Sequence, residues 1–321
     1  MKKKIAVGID IGGTNSAFGL VDQEGNMYGE SVMSTRNYPD PDQFVEEMYI
    51  GIQTLLKALD FAYELVGVGI GAPNANHFRG TIENAANIVW RGVVPIVEKF
   101  RRFFPNMPVI ITNDAKAAAV GEMVFGGARG MKDFIVITLG TGLGSGFVVG
   151  GQIVYGHDSF AGELGHVIVN RTGRVCGCGR KGCLETYVSA TGIKRTVFKL
   201  IADHTDDSEF RRISYNELTA EMITKAALNG DPIAIEAYEY TGMLLGQALA
   251  DAVAITSPEA IFLFGGLAKA GKYLFEPTKK YMEMHMLTAF RNKVKLLPSG
   301  IAGKNAAILG ASALIWQAHN A

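Results

Sequence analysis

The chain has 321 residues, 48% of them hydrophobic, and its 31 basic residues are balanced by 31 acidic ones. That is enough apolar material for a sizeable core and fits two domains better than one. The balance of charge leaves no electrostatic footprint for nucleic acid or an anionic membrane, and no apolar run reaches the ~20 residues that span a bilayer.

The N-terminal Met1-Lys2-Lys3-Lys4 leads straight into Ile5-Ala6-Val7-Gly8-Ile9. This apolar stretch is too short for a secretory signal, so a cytoplasmic protein is expected. From Ile5 to Asn26 the sequence reads as strand, Gly/Thr turn, strand, turn. Gly12 and Gly13 allow backbone N–H groups to approach an anion closely, and Thr14 and Asn15 add side-chain donors. Asp10, at the strand end, is placed to hold Mg²⁺ through water. Taken alone, such a turn is also a commonplace hairpin.

Asp40-Pro41 is a helix cap followed by a first-turn proline. Behind it Phe44, Met48, Ile52, Leu55, Leu56 and Leu59 form one apolar stripe. Leu65–Ile70 and Val109–Thr112 read as buried strands, and a helix is predicted over Asp114–Val124. In open α/β sheets ligands gather at the carboxyl ends of strands. Asp114 is therefore placed to accept a hydroxyl proton during phosphoryl transfer; its plainer role is a helix N-cap.

Phe134 to Gly156 repeats the plan of the first hairpin, which points to two related halves. Its turn, Gly140-Thr141-Gly142-Leu143-Gly144-Ser145-Gly146, has glycine at every second position. On extended backbone such glycines bare one face of the strand, and a bare face calls for something to pack against it. Two such turns, one per half, could grip the β- and γ-phosphates of a nucleotide from opposite sides. Neither fits the Walker or the dinucleotide spacing.

All three cysteines lie between residues 176 and 183, downstream of Glu163-Leu164-Gly165-His166. His166, Cys176, Cys178 and Cys183 make a complete soft ligand set for one structural, tetrahedral zinc ion. An odd cysteine count argues against disulfides. Glu163 and Glu185 flank the cluster and are not needed by the metal.

Asp203–Ser214 is expected to be an exposed loop. Asp231-Pro232 caps a long helix towards Ile255, and Ala260–Phe264 is a strand ending in Gly265-Gly266, a third turn that would suit an adenosine. The Met-rich Tyr281–Leu287 reads as helix core, and Asn305–Trp316 as a closing helix. Strands alternating with helices indicate an α/β fold. The expected division is 1–116 and 117–304, with the last segment, 305–321, returning to the first domain.

With these residues assembled, the chain resembles the ROK family of repressors, open reading frames and sugar kinases over nearly its whole length. Asp10-Ile11-Gly12-Gly13-Thr14 and Gly140-Thr141-Gly142 with Gly144 match its two phosphate motifs. Asn113-Asp114-Ala115 with Ala117-Ala118 matches its catalytic segment, and Gly265-Gly266 resembles its adenosine motif. Glu163-x-Gly165-His166 and Cys176-x-Cys178-Gly179-x-x-Gly182-Cys183-x-Glu185 match its signature.

The resemblance implies an actin-like ATPase (sugar kinase) fold, two domains with a ligand cleft between them where ATP and sugar meet. It implies Asp114 as base for the sugar 6-hydroxyl. It also implies contacts to sugar hydroxyls from Asn87, Asn113, Glu163, His166 and Glu185, zinc on His166 and the three cysteines, and a homodimer. The chain departs from the family at Gly71-Ala72-Pro73-Asn74, where the usual motif ends in Gly. It departs again at Ala86-Asn87-Ile88-Val89-Trp90, where Asn87 and Trp90 keep register in an altered loop.

The expected activity is that of an ATP-dependent hexokinase, with glucose as the first substrate. N-acetylmannosamine, N-acetylglucosamine, allose and fructose are the alternatives. A sugar-sensing regulator is disfavoured because only nine residues precede Asp10, too few for a DNA-binding module. A zinc-ribbon nucleic-acid binder is disfavoured because Arg171, Arg174, Arg180 and Lys181 have no aromatic residues interleaved with them.

Overall fold

The computed structural model describes residues 2–301, 303 and 305–320. Met1 of the lysine-rich end, Ala302 and Lys304 at the limit of the expected second domain, and Ala321 lie outside the described residues.

The first half runs β1 (Lys3–Ile11), β2 (Asn15–Val21), β3 (Met27–Ser34), α1 (Pro41–Lys57), β4 (Tyr63–Gly71), β5 (Ala75–Asn76), β6 (Thr81–Glu83), β7 (Val93–Val94), α2 (Ile96–Arg101), β8 (Val109–Thr112) and α3 (Asp114–Val124). Asp40 caps α1 by accepting from the Asp42 N–H, and Pro41 opens it. Its apolar stripe buries Phe44, Met48, Ile52 and Leu56 against the first sheet. That sheet has the order β3-β2-β1-β4-β8. The first three strands are antiparallel neighbours, whereas β4 lies parallel to both β1 and β8. β5, β6 and β7 form a separate small sheet.

The second half runs β9 (Phe134–Leu139), β10 (Leu143–Val149), β11 (Gln152–Ile153), α4 (Ala190–Asp203), α5 (Ala220–Leu228), α6 (Pro232–Thr256), β12 (Ala260–Phe264), α7 (Lys272–His285), β13 (Lys295–Pro298) and α8 (Ala306–Asn320). Its sheet order, β11-β10-β9-β12-β13, reproduces the first with the same strand directions. The self-similarity of the two Gly-rich hairpins is therefore the visible part of a repeated five-stranded unit.

The last helix of each half leaves its own sheet. α8 lies on β1, β2 and β4 of the first sheet, and α3 lies on β9 and β10 of the second. Glycines make room for both. A Cβ on Gly144 would fall 2.7 Å from the Ala115 Cβ, and one on Gly146 would fall 2.6 Å from that of Ala119. The bare face that these two glycines give β10 is thus covered by α3. On the other side Gly8 and Gly69 receive the backbone of α8 at Ile308 and Ala311.

The two exchanged helices cross where a Cβ on Gly121 would stand 2.9 Å from the Gly310 Cα. At the end of α3 the buried Glu122 accepts from the Gly127 N–H (2.9 Å), the Gly300 N–H (3.1 Å) and the Ser299 hydroxyl. It thereby ties α3 to the turn that leads into α8.

Two sequence expectations need correction. Asp203–Ser214 is not wholly exposed: a short 3-10 turn at Glu209–Arg212 plunges Phe210 into the second core, where it is 1% exposed. In the Met-rich stretch Met282 and Met286 are core residues, but Met284 and Leu287 face solvent. Among the described residues no helix is long and apolar enough to cross a membrane.

Candidate active site

Four turns at the carboxyl ends of parallel or paired strands carry the candidate residues. The first follows β1. There the Gly12 N–H donates to the Asn15 carbonyl (3.1 Å), closing the hairpin. Gly12 is thus a turn-former, and Gly13 and Thr14 supply the amides that can face an anion. Gly13 lies so close to the Asn87 carbonyl that any side chain there would collide with it. This contact brings the exposed Asn87 beside the turn after β1. The loop holding Asn87 is fastened by Trp90, which is buried, donates its indole N–H to the Tyr38 carbonyl (2.9 Å) and packs edge-on to Phe44. Thr14 and Asn15 are exposed at the same turn.

The second turn follows β8. Asn113 is the N-cap of α3, its side-chain oxygen accepting the Ala115 N–H at 2.9 Å. Capping thus falls to the residue before Asp114. Asp114 opens the first turn and also accepts the Ala115 N–H, at 2.8 Å. It is exposed on the cleft side yet crowded by protein on the others. That burial holds its carboxyl above the usual aspartate range, against the opposing pull of the Ala115 N–H and the Lys116 charge. Asp10 stands across Gly71: a Cβ on that glycine would lie 3.8 Å from the Asp114 Cα and 3.9 Å from the Asp10 Oδ1. Burial and the Asp114 charge push Asp10 up to about 6.

The family departure at Asn74 is conservative in backbone terms. Asn74 has φ +51°, a left-handed conformation that glycine and asparagine adopt most readily. Its amide donates to the Glu83 carbonyl at 3.1 Å, which fixes the loop without glycine.

The third turn joins β9 to β10. The Gly140 N–H donates to the Gly142 carbonyl (3.0 Å), leaving Thr141 and Gly142 amides for a ligand. The Gly140 carbonyl accepts the first N–H of α4 at 2.8 Å. Glu185 closes this turn from below. Its Oε2 accepts the Leu143 N–H (3.0 Å) and fills the space a side chain on Gly142 would need. The fourth turn is Gly265-Gly266 after β12. Gly265 has φ +106° and abuts the Leu139 backbone, while a Cβ on Gly266 would meet nothing within 4 Å. The Gly140 and Gly265 turns therefore adjoin at the end of the second sheet.

The soft-ligand cluster lies under Glu185. One ligand atom each from His166, Cys176, Cys178 and Cys183 fall within 4.8 Å of one another. Cys176 Sγ is 3.8 Å from His166 Nδ1, and Cys178 Sγ is 3.6 Å from Cys183 Sγ. Such separations suit four atoms around one zinc with bonds of ~2.0–2.3 Å. Burial pushes the Cys176 thiol up to about 12, whereas Arg180 draws Cys178 down to about 6. Cys176 Sγ is also 3.8 Å from Glu185 Oε1, so the Cys/His loop and the β9–β10 turn share one carboxylate. Glu163, exposed, precedes the short 3-10 turn Leu164–His166, and Gly165 packs on the Leu143 backbone.

The ROK family profile matches residues 6–318. The chain belongs to the ROK family. It is 34% identical to a glucokinase of Streptomyces coelicolor over 316 residues, 97% of each protein. A ROK family glucokinase from Streptomyces griseus, solved with glucose and AMPPNP, superposes with a TM-score of 0.80 at 31% identity, covering 98% of this chain and 99% of that one. A xylose repressor of Caldicellulosiruptor bescii is more distant, 27% identical, and this chain spans 77% of it. With these neighbours the two repeated sheets are those of the actin-like ATPase fold of ROK sugar kinases.

Lys116 and Ser159, both nearly inaccessible to solvent and close to this ROK site, were not among the residues expected from sequence. The signal for Lys116 was present: α3 reads DAKAAAVGEMV, a lysine in a helix with no polar face.

Proposed function

We propose that this ROK protein is an ATP-dependent hexokinase that phosphorylates the 6-hydroxyl of glucose. The observation that carries the reading is Asp114 at the start of α3, with Asn113 as the N-cap, in a fold that repeats a Gly-rich turn in each half. End-to-end similarity to glucokinases supports it, as does a neighbour holding glucose and an ATP analogue.

In this reading Gly13, Thr14, Thr141 and Gly142 present backbone N–H groups to the β- and γ-phosphates, and Gly265-Gly266 borders the adenosine. Asn87, Asn113, Glu163, His166 and Glu185 orient the sugar; carboxylates and amides suit a polyol whose hydroxyls both donate and accept. Asp114 accepts the proton of the 6-hydroxyl as that oxygen bonds to the γ-phosphorus and the bond to the β–γ bridging oxygen breaks, so the products are glucose 6-phosphate and ADP. The transition state for such transfer is loose, and positioning counts for more than base strength. Mg²⁺, held through Asp10, would neutralise charge developing on the phosphates. Zinc on His166, Cys176, Cys178 and Cys183 would hold Glu185 in place. We take the active form to be a homodimer, as the family resemblance implies.

The test is ADP release measured across glucose, fructose, allose and the two N-acetylated amino sugars. Glucose should give the highest kcat/KM, since a site fitted to hydroxyls leaves groups unpaired when an acetamido group replaces one. A higher value for either acetylated sugar would reassign the substrate. Asp114→Asn should lower kcat by ~10²–10⁴-fold while glucose and ATP binding change little. Near-normal turnover in a variant that melts normally would leave Asp114 without the base role.

A further inference from the structure

Lys116 follows two residues after Asp114, in the first turn of α3, with its backbone pressed on Gly146. It is 2% exposed. A buried ammonium is costly unless paired, and among the described residues its Nζ donates to the Ser159 carbonyl at 3.3 Å. The charges facing it are Glu163, Asp114 and Asp158. Burial pushes its ammonium down, and those three carboxylates push it back up.

Ser159 is an unusual anchor. It is a buried non-glycine residue at φ +75°, a conformation kept only where surroundings enforce it. Its hydroxyl accepts the His77 N–H at 2.8 Å. Next to it the Asp158 carbonyl accepts from the Asn76 amide at 3.1 Å, and the Tyr155 ring stacks on His77 at 4.1 Å. The segment from Tyr155 to Glu163 is thus gripped by the β5 region of the first half and by Lys116 from α3. Glu163 lies four residues beyond Ser159.

We propose that Lys116 is a positioning residue for the sugar site: by tying Ser159 to the helix that bears Asp114, it sets the place of Glu163 relative to the base. Nothing in this role touches the nucleotide. It rests on the hexokinase reading above, and it deepens that reading by assigning hexose affinity to a side chain outside the sugar-contacting set.

The experiment compares wild type, Lys116→Met and Lys116→Gln, measuring KM for glucose and for ATP, kcat and melting temperature. Lys116→Met keeps the length and fills the space without donor or charge. Its KM for glucose should rise ~10-fold or more, because a misplaced substrate contact of ~1 Å can cost up to ~10²-fold. KM for ATP should stay within about twofold, and melting should not fall in parallel. Lys116→Gln retains a donor for Ser159 and should recover part of the glucose KM. It also serves as the test variant if Lys116→Met does not fold. An unchanged glucose KM in both variants overturns the inference. So does a parallel loss of glucose affinity, ATP affinity and melting temperature, which marks a merely structural lysine. Wild type inactive on every hexose would instead sink the hexokinase reading, so the two failures are distinguishable.

Discussion

Asp10 is buried beside Asp114 near Gly71, and that burial, with the Asp114 charge, has a measurable cost in the metal-free protein. Asp10 is raised from the ordinary ~3.9 to about 6. A carboxyl whose pKa is higher folded than unfolded favours the fold while both states are protonated, below ~pH 4. That contribution is lost as pH rises through about 6, so at pH 7 the ionised Asp10 opposes folding. Two pKa units correspond to ~3 kcal/mol, an upper limit for a side chain that is partly solvated. Asp10→Asn, which imitates the neutral form, should therefore raise the melting temperature at pH 7.5 in EDTA by several degrees, while lowering turnover. The gain should shrink when calorimetry is repeated near pH 5. A variant that melts lower than wild type at pH 7.5 contradicts the argument.

At the scale of elements, the Cys/His loop and the β9–β10 turn are one mechanical unit. Ile168 pairs with Cys183 and Val175 with Lys181, folding the loop back on itself. The half-buried Arg174 pins it to the Thr186 and Gly192 carbonyls, each at 2.9 Å. Glu185 then passes its order to the Leu143 N–H. Purified protein should carry about one zinc per chain by elemental analysis. Cys178→Ala should lose the metal, melt lower and show reduced kcat/KM for glucose, because such metal binding is coupled to folding. A metal-free preparation with full activity and unchanged melting would refute it. Much of this unit was legible in the chain, since clustered cysteines and a nearby histidine are a local signal. Asn113-Asp114 was equally local. Lys116 stood out as a lysine in a helix with no polar face, but its partner, Ser159, lies forty-three residues away and only the fold supplies it. Gly144 and Gly146 were legible only in part. A bare strand face announces that something packs there, but only the fold says that it is α3.

Across the whole molecule, the exchange of α3 and α8 decides what can fold alone. The chain breaks most naturally in the surface turn near Gly130, which has φ +82° and open space around it. Residues 1–130 would keep α3 but lose the sheet it covers, and residues 131–321 would keep α8 but lose Gly8 and Gly69 beneath it. Each fragment expressed alone should aggregate or melt without a cooperative transition. Co-expressed, the two should recover one cooperative transition and glucose-dependent ADP release. A fragment 1–130 that folds alone with a sharp transition would show the exchange to be unimportant for stability.

That exchange also has the form of a swap between two halves of one chain. Two half-length polypeptides, each a five-stranded sheet with a trailing helix, would complete one another by trading those helices about a twofold axis, a low-cost route to a dimer. Joining them in one chain makes the second encounter intramolecular and independent of protein concentration. It also frees the copies to diverge. The strand that ends in Asp10-Ile11-Gly12 in one copy ends in Thr138-Leu139-Gly140 in the other. The two copies thus differ where their first strands end, one carrying a carboxylate and the other a threonine.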